Sequence, residues 1–406
     1  MNTNSLVAIS HDDNLIGSPL ELDEKSLNSV AKLTKKAIDK SCSLICLVKD
    51  KTVLLKPNFV RSTPETIFAT TDLRVVYSVA KMALDAGAKK VTIGDKPGWN
   101  KSARTVFGEL GVDKIANLLD VETCYFDEDQ LLEVDLPTSK VFNKIFVPKT
   151  VMDSEVLINL PKVKTHMHTI VSLGIKNLHG IVMDSQRLIN HRNDLGYKLV
   201  DILRAKKPCL TVSDCIWPME GQGPLNGRNI KNFNVVIAGT DVVAVDAVTC
   251  SIMGIDPSEV DAIRIAHAEG LGCGDLKKIH VVGTKPARVK RQFKRPCISA
   301  AGVYSNVLSM EAGVCQGCLS CVRHSLDRLA FEQKIQRIGK IIICSGRHSL
   351  EKPELLPTEN DLWLLGDCAC EDAASHGLAE KAYRVTGCPP HIYELYNSLH
   401  KRYIDS

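Results

Sequence analysis

Short β-branched, apolar runs alternate with helical segments along most of the chain, and this alternation constrains the fold more than any other feature. Residues 52–56 (TVLLK) form an apolar run that stops at Pro57. Such a run reads as a buried strand ending in a loop. Residues 72–87 follow as an amphipathic helix, with Asp72 as its cap and Gly87 as its stop. A strand at 90–94, the turn DKPGWN and a helix from Ser102 to Leu110 continue the series. Further strands are expected at 155–160, closed by Pro161, and at 209–214, 233–239 and 278–283. A helix from Val242 to Met253, capped by Thr240 or Asp241, lies between the last two. Strand–helix–strand order predicts an α/β fold with a mostly parallel, doubly wound sheet. Aromatic residues make up only 5% of the chain, so the core must rest on Val, Ile, Leu and Ala. Residues 1–28 are polar and mixed and are expected to have little order before a helix at 29–41.

Residues 284–296 hold six basic residues and no acid. This stretch reads as a solvated linker between a domain at 1–290 and a second domain at 297–406. The second restarts the alternation, with strands at 340–344 and 362–366, and is expected to be a smaller, Rossmann-like domain. A net charge of +4 over 406 residues is too small to imply nucleic acid. No apolar run reaches ~18 residues, and the first residues lack the pattern of a signal peptide. No membrane partner is expected, and the cytoplasm is the expected location.

Fifteen cysteines are present, and eight of them fall at or after Cys297. In a reducing compartment, thiols gathered in a tail suggest a metal or cluster site. Cys315-Gln-Gly-Cys318-Leu-Ser-Cys321 comes first, then Gly366-Asp367-Cys368-Ala369, then Gly387-Cys388-Pro389-Pro390. The second and third follow predicted strands, whose ends share one edge of a parallel sheet. Four thiolates suit a [4Fe–4S] cube, and zinc would accept the same ligands. Cys321 is a spare that could replace one ligand. This order resembles the small-subunit domain of nickel–iron hydrogenases and its relative in respiratory complex I. The resemblance implies Cys315, Cys318, Cys368 and Cys388 as the ligands of one [4Fe–4S] cluster.

The larger domain carries a different polar set. Lys56-Pro57-Asn58 follows the first strand, Asp95-Lys96 the second, and Lys162, Lys164 and His166 the third. Lys176-Asn177 comes next, with His191 further on, and Asp214 ends a strand before a loop at Glu220–Gly223. At one sheet edge these residues would line an electropositive cleft for an anionic small molecule, carboxylate or phosphate. Gly94 and Gly98 flank a turn whose amides would favour an anion. No P-loop and no GxGxxG is present, which disfavours ATP or NAD in a standard mode. Lys56, His166 and Lys176 are the candidate catalytic groups; Asn58, Asp95, Lys96, Lys162, Lys164 and Asn177 are the candidate binding groups.

KPN, ATTD (69–72), IGDKPG, NLPKVKTH, IKNLHG, MEGQGP and DVVAVDAV (241–248) together resemble the DUF362 family over residues 52–283. That resemblance implies association with iron–sulfur chemistry, although the tail here departs from the ferredoxin-type pattern CxxCxxCxxxCP. His166 and Lys176, ten residues apart, are also similar in spacing to a pair that frames the cleft of nickel-pincer lactate racemases; two residues imply no cofactor. The expected function is an iron–sulfur oxidoreductase that passes electrons from the cluster to an anion in the cleft. A redox partner protein is the other expected partner. A non-redox isomerase or lyase, with the cluster structural or a Lewis acid, stays open. So does an electron-transfer or assembly partner without catalysis.

Overall fold

The computed structural model describes residues 5–19, 21–60, 67–98, 101–190, 195–350 and 360–405. The chain divides into two compact units, one of residues 1–187 and 196–296, the other of 188–195 and 297–406.

Strand β1 (Ser5–His11) falls within the segment expected to lack order. Its Val7, Ala8 and Ile9 are fully buried, and polar residues on both sides hide this short run. Strands β2 (Thr52–Pro57), β3 (Lys90–Asp95) and β4 (Glu122–Tyr125) follow. A separate antiparallel ribbon joins β5 (Leu131–Asp135) to β6 (Lys144–Pro148). Then come β7 (Val156–Leu160), β8 (Lys162–His166) and β9 (Ile170–Ser172). The unit closes with β10 (Leu210–Gln222), β11 (Asn226–Asn229), β12 (Val235–Gly239) and β13 (Ile279–Gly283).

The sheet runs β13-β1-β12-β10-β7-β2-β3-β4, with β8, β9 and β11 attached around β10. Most neighbours along this path are parallel, as expected for an α/β fold. The exception is β12, which is antiparallel to both β1 and β10. From β2 the chain steps outward to β3 and β4, then returns to place β7 on the other side of β2. That reversal makes the sheet doubly wound and puts its switch point, where ligand crevices form in such sheets, at the carboxyl ends of β2 and β7.

The helices form where their caps predict. Asp72 accepts the N–H of Arg74 at the start of the helix Leu73–Asp85. Asp241 accepts two N–H groups at the start of Val242–Ile252. The first helix begins earlier than its apolar pattern suggests, at Glu24, because Asp23 caps it. The core between helices and sheet is built from residues such as Val53, Leu55, Val76, Val79, Ile93 and Ile158. Each such side chain contributes roughly 1.5–3 kcal/mol on burial.

The basic stretch at 284–296 is not a free linker. It belongs to the first unit, where Phe293 is buried and Arg295 pairs with Glu259. Lys294 donates its N–H to Glu220, and Arg288 pairs with Asp13. A run of like charge gives no sign of partners far away in sequence.

In the second unit, β14 (Val307–Met310), β15 (Ile341–Ser345), β16 (Asp361–Leu365) and β17 (Tyr383–Val385) form a four-stranded sheet in that order. Every pair is parallel, so all four carboxyl ends share one edge. A helix at Gln316–Phe331 and one at Glu394–Tyr403 cover one face around Leu326, Ile343, Leu365 and Leu395.

Candidate functional site

The polar residues of the first unit converge on the crevice at β2 and β7. Lys56 at the end of β2 is opposite Asn159 on β7. Its Nζ pairs with Asp95 at 2.7 Å and donates to Pro57 O at 3.0 Å. Asp95, at the end of β3, also accepts the N–H of Phe59. Asn177 donates to Asn159 Oδ1 at 2.8 Å and contacts Lys56 Nζ through its own Oδ1. The segment bearing Asn177 passes so close that a Cβ on Gly180 would stand 2.5 Å from Lys56 Nζ and 2.6 Å from Asp95 Oδ1. Glycine is required there by space alone.

NLPKVKTH is not a loop. Pro161 ends β7, and the chain resumes at once as β8, which pairs with β10 and β9. Alternation along a strand puts Lys162, Lys164 and His166 on one face. Likewise Asp214 does not end its strand but lies inside β10, where it accepts from Lys162 Nζ at 2.9 Å. The ATTD motif ties these strands together. Ala69 O accepts from Lys164 Nζ at 2.7 Å, Thr71 donates to Leu160 O, and Asp72 donates its N–H to Asp214. Gly94 serves packing rather than an anion, since a Cβ there would meet Phe126 at 2.4 Å.

Electrostatics separate the lysines. Lys56, Lys162 and Lys96 are neutralised by Asp95, Asp214 and Asp184. Among the described residues, Lys164 and Lys176 have no carboxylate at ion-pair distance. Burial, with Lys176 and Lys162 nearby, pulls Lys164 down to about 7. Burial and then Arg187 pull Lys176 down to about 7. Burial also lowers Lys56, against the attraction of Asp95. Lys176 Nζ lies 3.4 Å from His179 Nδ1.

The Nδ1 of His166 accepts the N–H of His168 at 3.1 Å. Asn58 donates its backbone N–H to Thr71, while its side-chain Oδ1 is enclosed without a hydrogen bond. His191 lies outside the described residues.

Asn159, which opens the NLPKVKTH motif, and two residues that sequence reasoning did not single out, Arg187 and Asp246, complete this site. Asn159 bridges Asn177 and Gly174 O. Arg187 donates to Pro97 O and Lys96 O, pinning the turn after β3. Asp246 accepts the N–H groups of Gly174 and Ile175 and so anchors the short helix Gly174–Asn177 that carries Lys176. Burial raises Asp246 to about 7. Only the DVVAVDAV motif hinted at Asp246; a lone arginine in QRLIN carries no signal.

The second unit gathers its thiols at the carboxyl edge of its sheet. Cys315 follows β14 and caps the helix that carries Cys318. Cys368 follows β16 and Cys388 follows β17. The Cys318 thiol and the backbone N–H groups of the first turn pull Cys315 down to about 5. Cys318 is pushed up by Cys315, by burial and by Cys321 and Cys388 nearby. A Cβ on Gly366 would stand 2.8 Å from Cys318 Sγ, and φ is +87° there. Asp367 accepts the N–H of Gly387 and so joins the Cys368 and Cys388 loops. The spare Cys321 is buried and donates to Pro390 O at 3.2 Å. Among the described residues, no group of three His, Cys, Asp or Glu side chains could hold one metal ion. A [4Fe–4S] cube makes a different demand, one thiolate at each of four iron corners. The converging loops and the glycine at 366 fit that demand.

The family model described as "Domain of unknown function (DUF362)" matches residues 53–251. A thylakoid-associated protein of Synechocystis sp. is 32% identical over 225 residues, covering 54% of this chain and 68% of that protein. The chain belongs to the DUF362 family. A lactate racemase apoprotein structure from Thermoanaerobacterium thermosaccharolyticum aligns over 98% of this chain and 90% of its own. Its TM-score of 0.39 and 10% identity carry no argument about activity. No helix among the described residues is long and apolar enough to cross a membrane.

Proposed function

We propose that the chain is an iron–sulfur oxidoreductase acting on an anionic small molecule, a carboxylate or phosphate, held at the crevice of the first unit. The observation that supports it most is the pair of amines, buried Lys164 and half-buried Lys176, with no carboxylate at ion-pair distance among the described residues. A buried cation without a counter-ion is costly, and a bound anion removes that cost. Lys164 and Lys176 would bind the anion, and their lowered proton affinity suits them to exchange a proton with it near neutral pH. Lys56, Asp95, Asn159 and Asn177 would hold the surrounding backbone rigid. His166 would act as a hydrogen-bond donor to the anion. Cys315, Cys318, Cys368 and Cys388 would hold the [4Fe–4S] cluster, which supplies single electrons when bound. A redox partner protein would recharge it.

Anaerobic reconstitution should give iron and sulfide near ~4 each per chain, and Cys368→Ser should lower both. Isothermal titration with inorganic phosphate and with succinate should show binding that Lys164→Met weakens at least tenfold. Absence of iron would sink the redox reading; loss of binding only in the cysteine variant would sink the cleft. Turnover with a cluster that cannot be reduced would favour a non-redox lyase or isomerase. We place the protein in the cytosol; recovery in a membrane fraction, where its relative's name puts that protein, would overturn this.

A further inference from the structure

The helix Glu24–Ser41 and the helix Leu73–Asp85 pack side by side over one core of the large sheet. Outside that core they leave a groove of about 970 Å³, lined by neither the crevice residues nor the thiols. Along the first helix it runs from Asn28 to Ser41, about 20 Å at the rise of an α-helix. Its floor is small and apolar, with Ala31 on the first helix, Met82 on the second and Ala86 just past it. Ser78 also lines it, but its hydroxyl is turned back onto Arg74 O at 2.6 Å. Past Ser41, half-buried Cys42 and the short helix Leu44–Val48 extend the floor, and Ile45 of that helix is 52% exposed. Four lysines stand around the groove, Lys32, Lys35, Lys40 and Lys81, against two aspartates, Asp39 and Asp85. All six are exposed. Lys35 pairs with Asp39 and Lys81 with Asp85, each a turn apart on its own helix. Such exposed pairs hold weakly and change partner readily. Among the described residues, Lys32 and Lys40 have no ion pair, so the groove carries a net positive rim over an apolar floor.

We propose that this groove is a docking site for an acidic amphipathic helix of a partner protein. Apolar side chains of that helix, spaced i, i+3, i+4 and i+7, fill the floor, and the flexible Met82 adjusts to them. Its Glu and Asp residues meet Lys32 and Lys40 at the rim and set which partners are accepted. A length of about 20 Å takes three to four turns of an incoming helix. A planar lipid surface does not fill a trough between two helices, which favours a helix as the occupant. The proposal is independent of the crevice and of the thiol site, since it shares no residue with either.

The test is fluorescence anisotropy of a labelled helical peptide of about 18 residues, leucines on one face and glutamates on the other, added to the full-length chain. It should bind, and the same peptide with lysines in place of the glutamates should bind roughly tenfold more weakly. The double variant Lys32→Glu, Lys40→Glu should reverse that preference, and Ile45→Asp should weaken both peptides. All three positions are exposed, so the urea midpoints of these variants should match the wild type. Bound acidic peptide should also shield Cys42 from iodoacetamide. No binding of the acidic peptide, equal binding of the two peptides, an unshielded Cys42, or binding unchanged in the double variant overturns the proposal. Binding to phosphatidylglycerol vesicles without binding to the peptide overturns it in favour of a lipid surface. Self-association that the double variant abolishes in analytical ultracentrifugation overturns it in favour of a second copy of the chain.

Discussion

Lys164 and Asp246 are both shifted to about 7, from opposite directions, and their effects on stability have opposite signs. Lys164 has a folded value below its unfolded one, so the unfolded chain binds more protons between about 7 and about 10. Stability therefore rises with pH across that window, and the full cost is present below it. For Asp246 the folded value is the higher. Between the ordinary carboxylate range and about 7 the folded chain binds more protons, so stability falls as pH rises. Urea midpoints measured against pH should show both limbs. Lys164→Met should flatten the upper limb and Asp246→Asn the lower, with Asn keeping an oxygen for only one of the Gly174 and Ile175 N–H groups and so lowering stability at every pH. Anion binding should weaken above pH 7 as Lys164 and Lys176 lose their protons, by up to about tenfold per unit for each proton. These shifts could not be read from the sequence. Lys162 and Lys164 look alike there, and only the fold gives one an aspartate and the other a carbonyl.

At the scale of elements, close approach matters more than pattern. Gly180→Ala would drive a methyl into the Lys56–Asp95 pair, both members of which are buried. The methyl must displace one member of the pair, so the variant should show a lower midpoint in chemical denaturation. Gly366→Ala faces two obstacles, a positive φ and the Cys318 sulfur. It should lower iron and sulfide per chain while leaving binding of phosphate unchanged. A variant that loads iron normally would show that the Gly366 turn does not shape the thiol site. The strands and caps behind these turns were legible: β2, β3, β7 and both aspartate caps lie within a residue or two of their expected bounds. The segment after Pro161 was misread because proline so often ends a strand in a loop. Here it ends one strand and begins another, and the resulting alternation aligns three basic residues.

For the whole molecule, hydrophobic clusters that each stay within one unit predict two folding units. Calorimetry should resolve two unfolding transitions. Loading with iron should raise only one of them, and phosphate only the other, because each ligand binds residues of a single unit. One merged transition that both ligands shift together would contradict this.

The sequence by itself determined the α/β class, the mostly parallel sheet and the motifs that mark the family. Local periodicity, caps and turn residues act over a few positions and are written directly in the chain. The tertiary structure alone decided which lysines keep a counter-ion, that β1 is an inner strand, and that the basic stretch folds back. It also brought Asp246 beneath the Lys176 turn. Those contacts join residues far apart in the chain, and pairing, burial and proton affinity depend on distance in space, which no local pattern encodes.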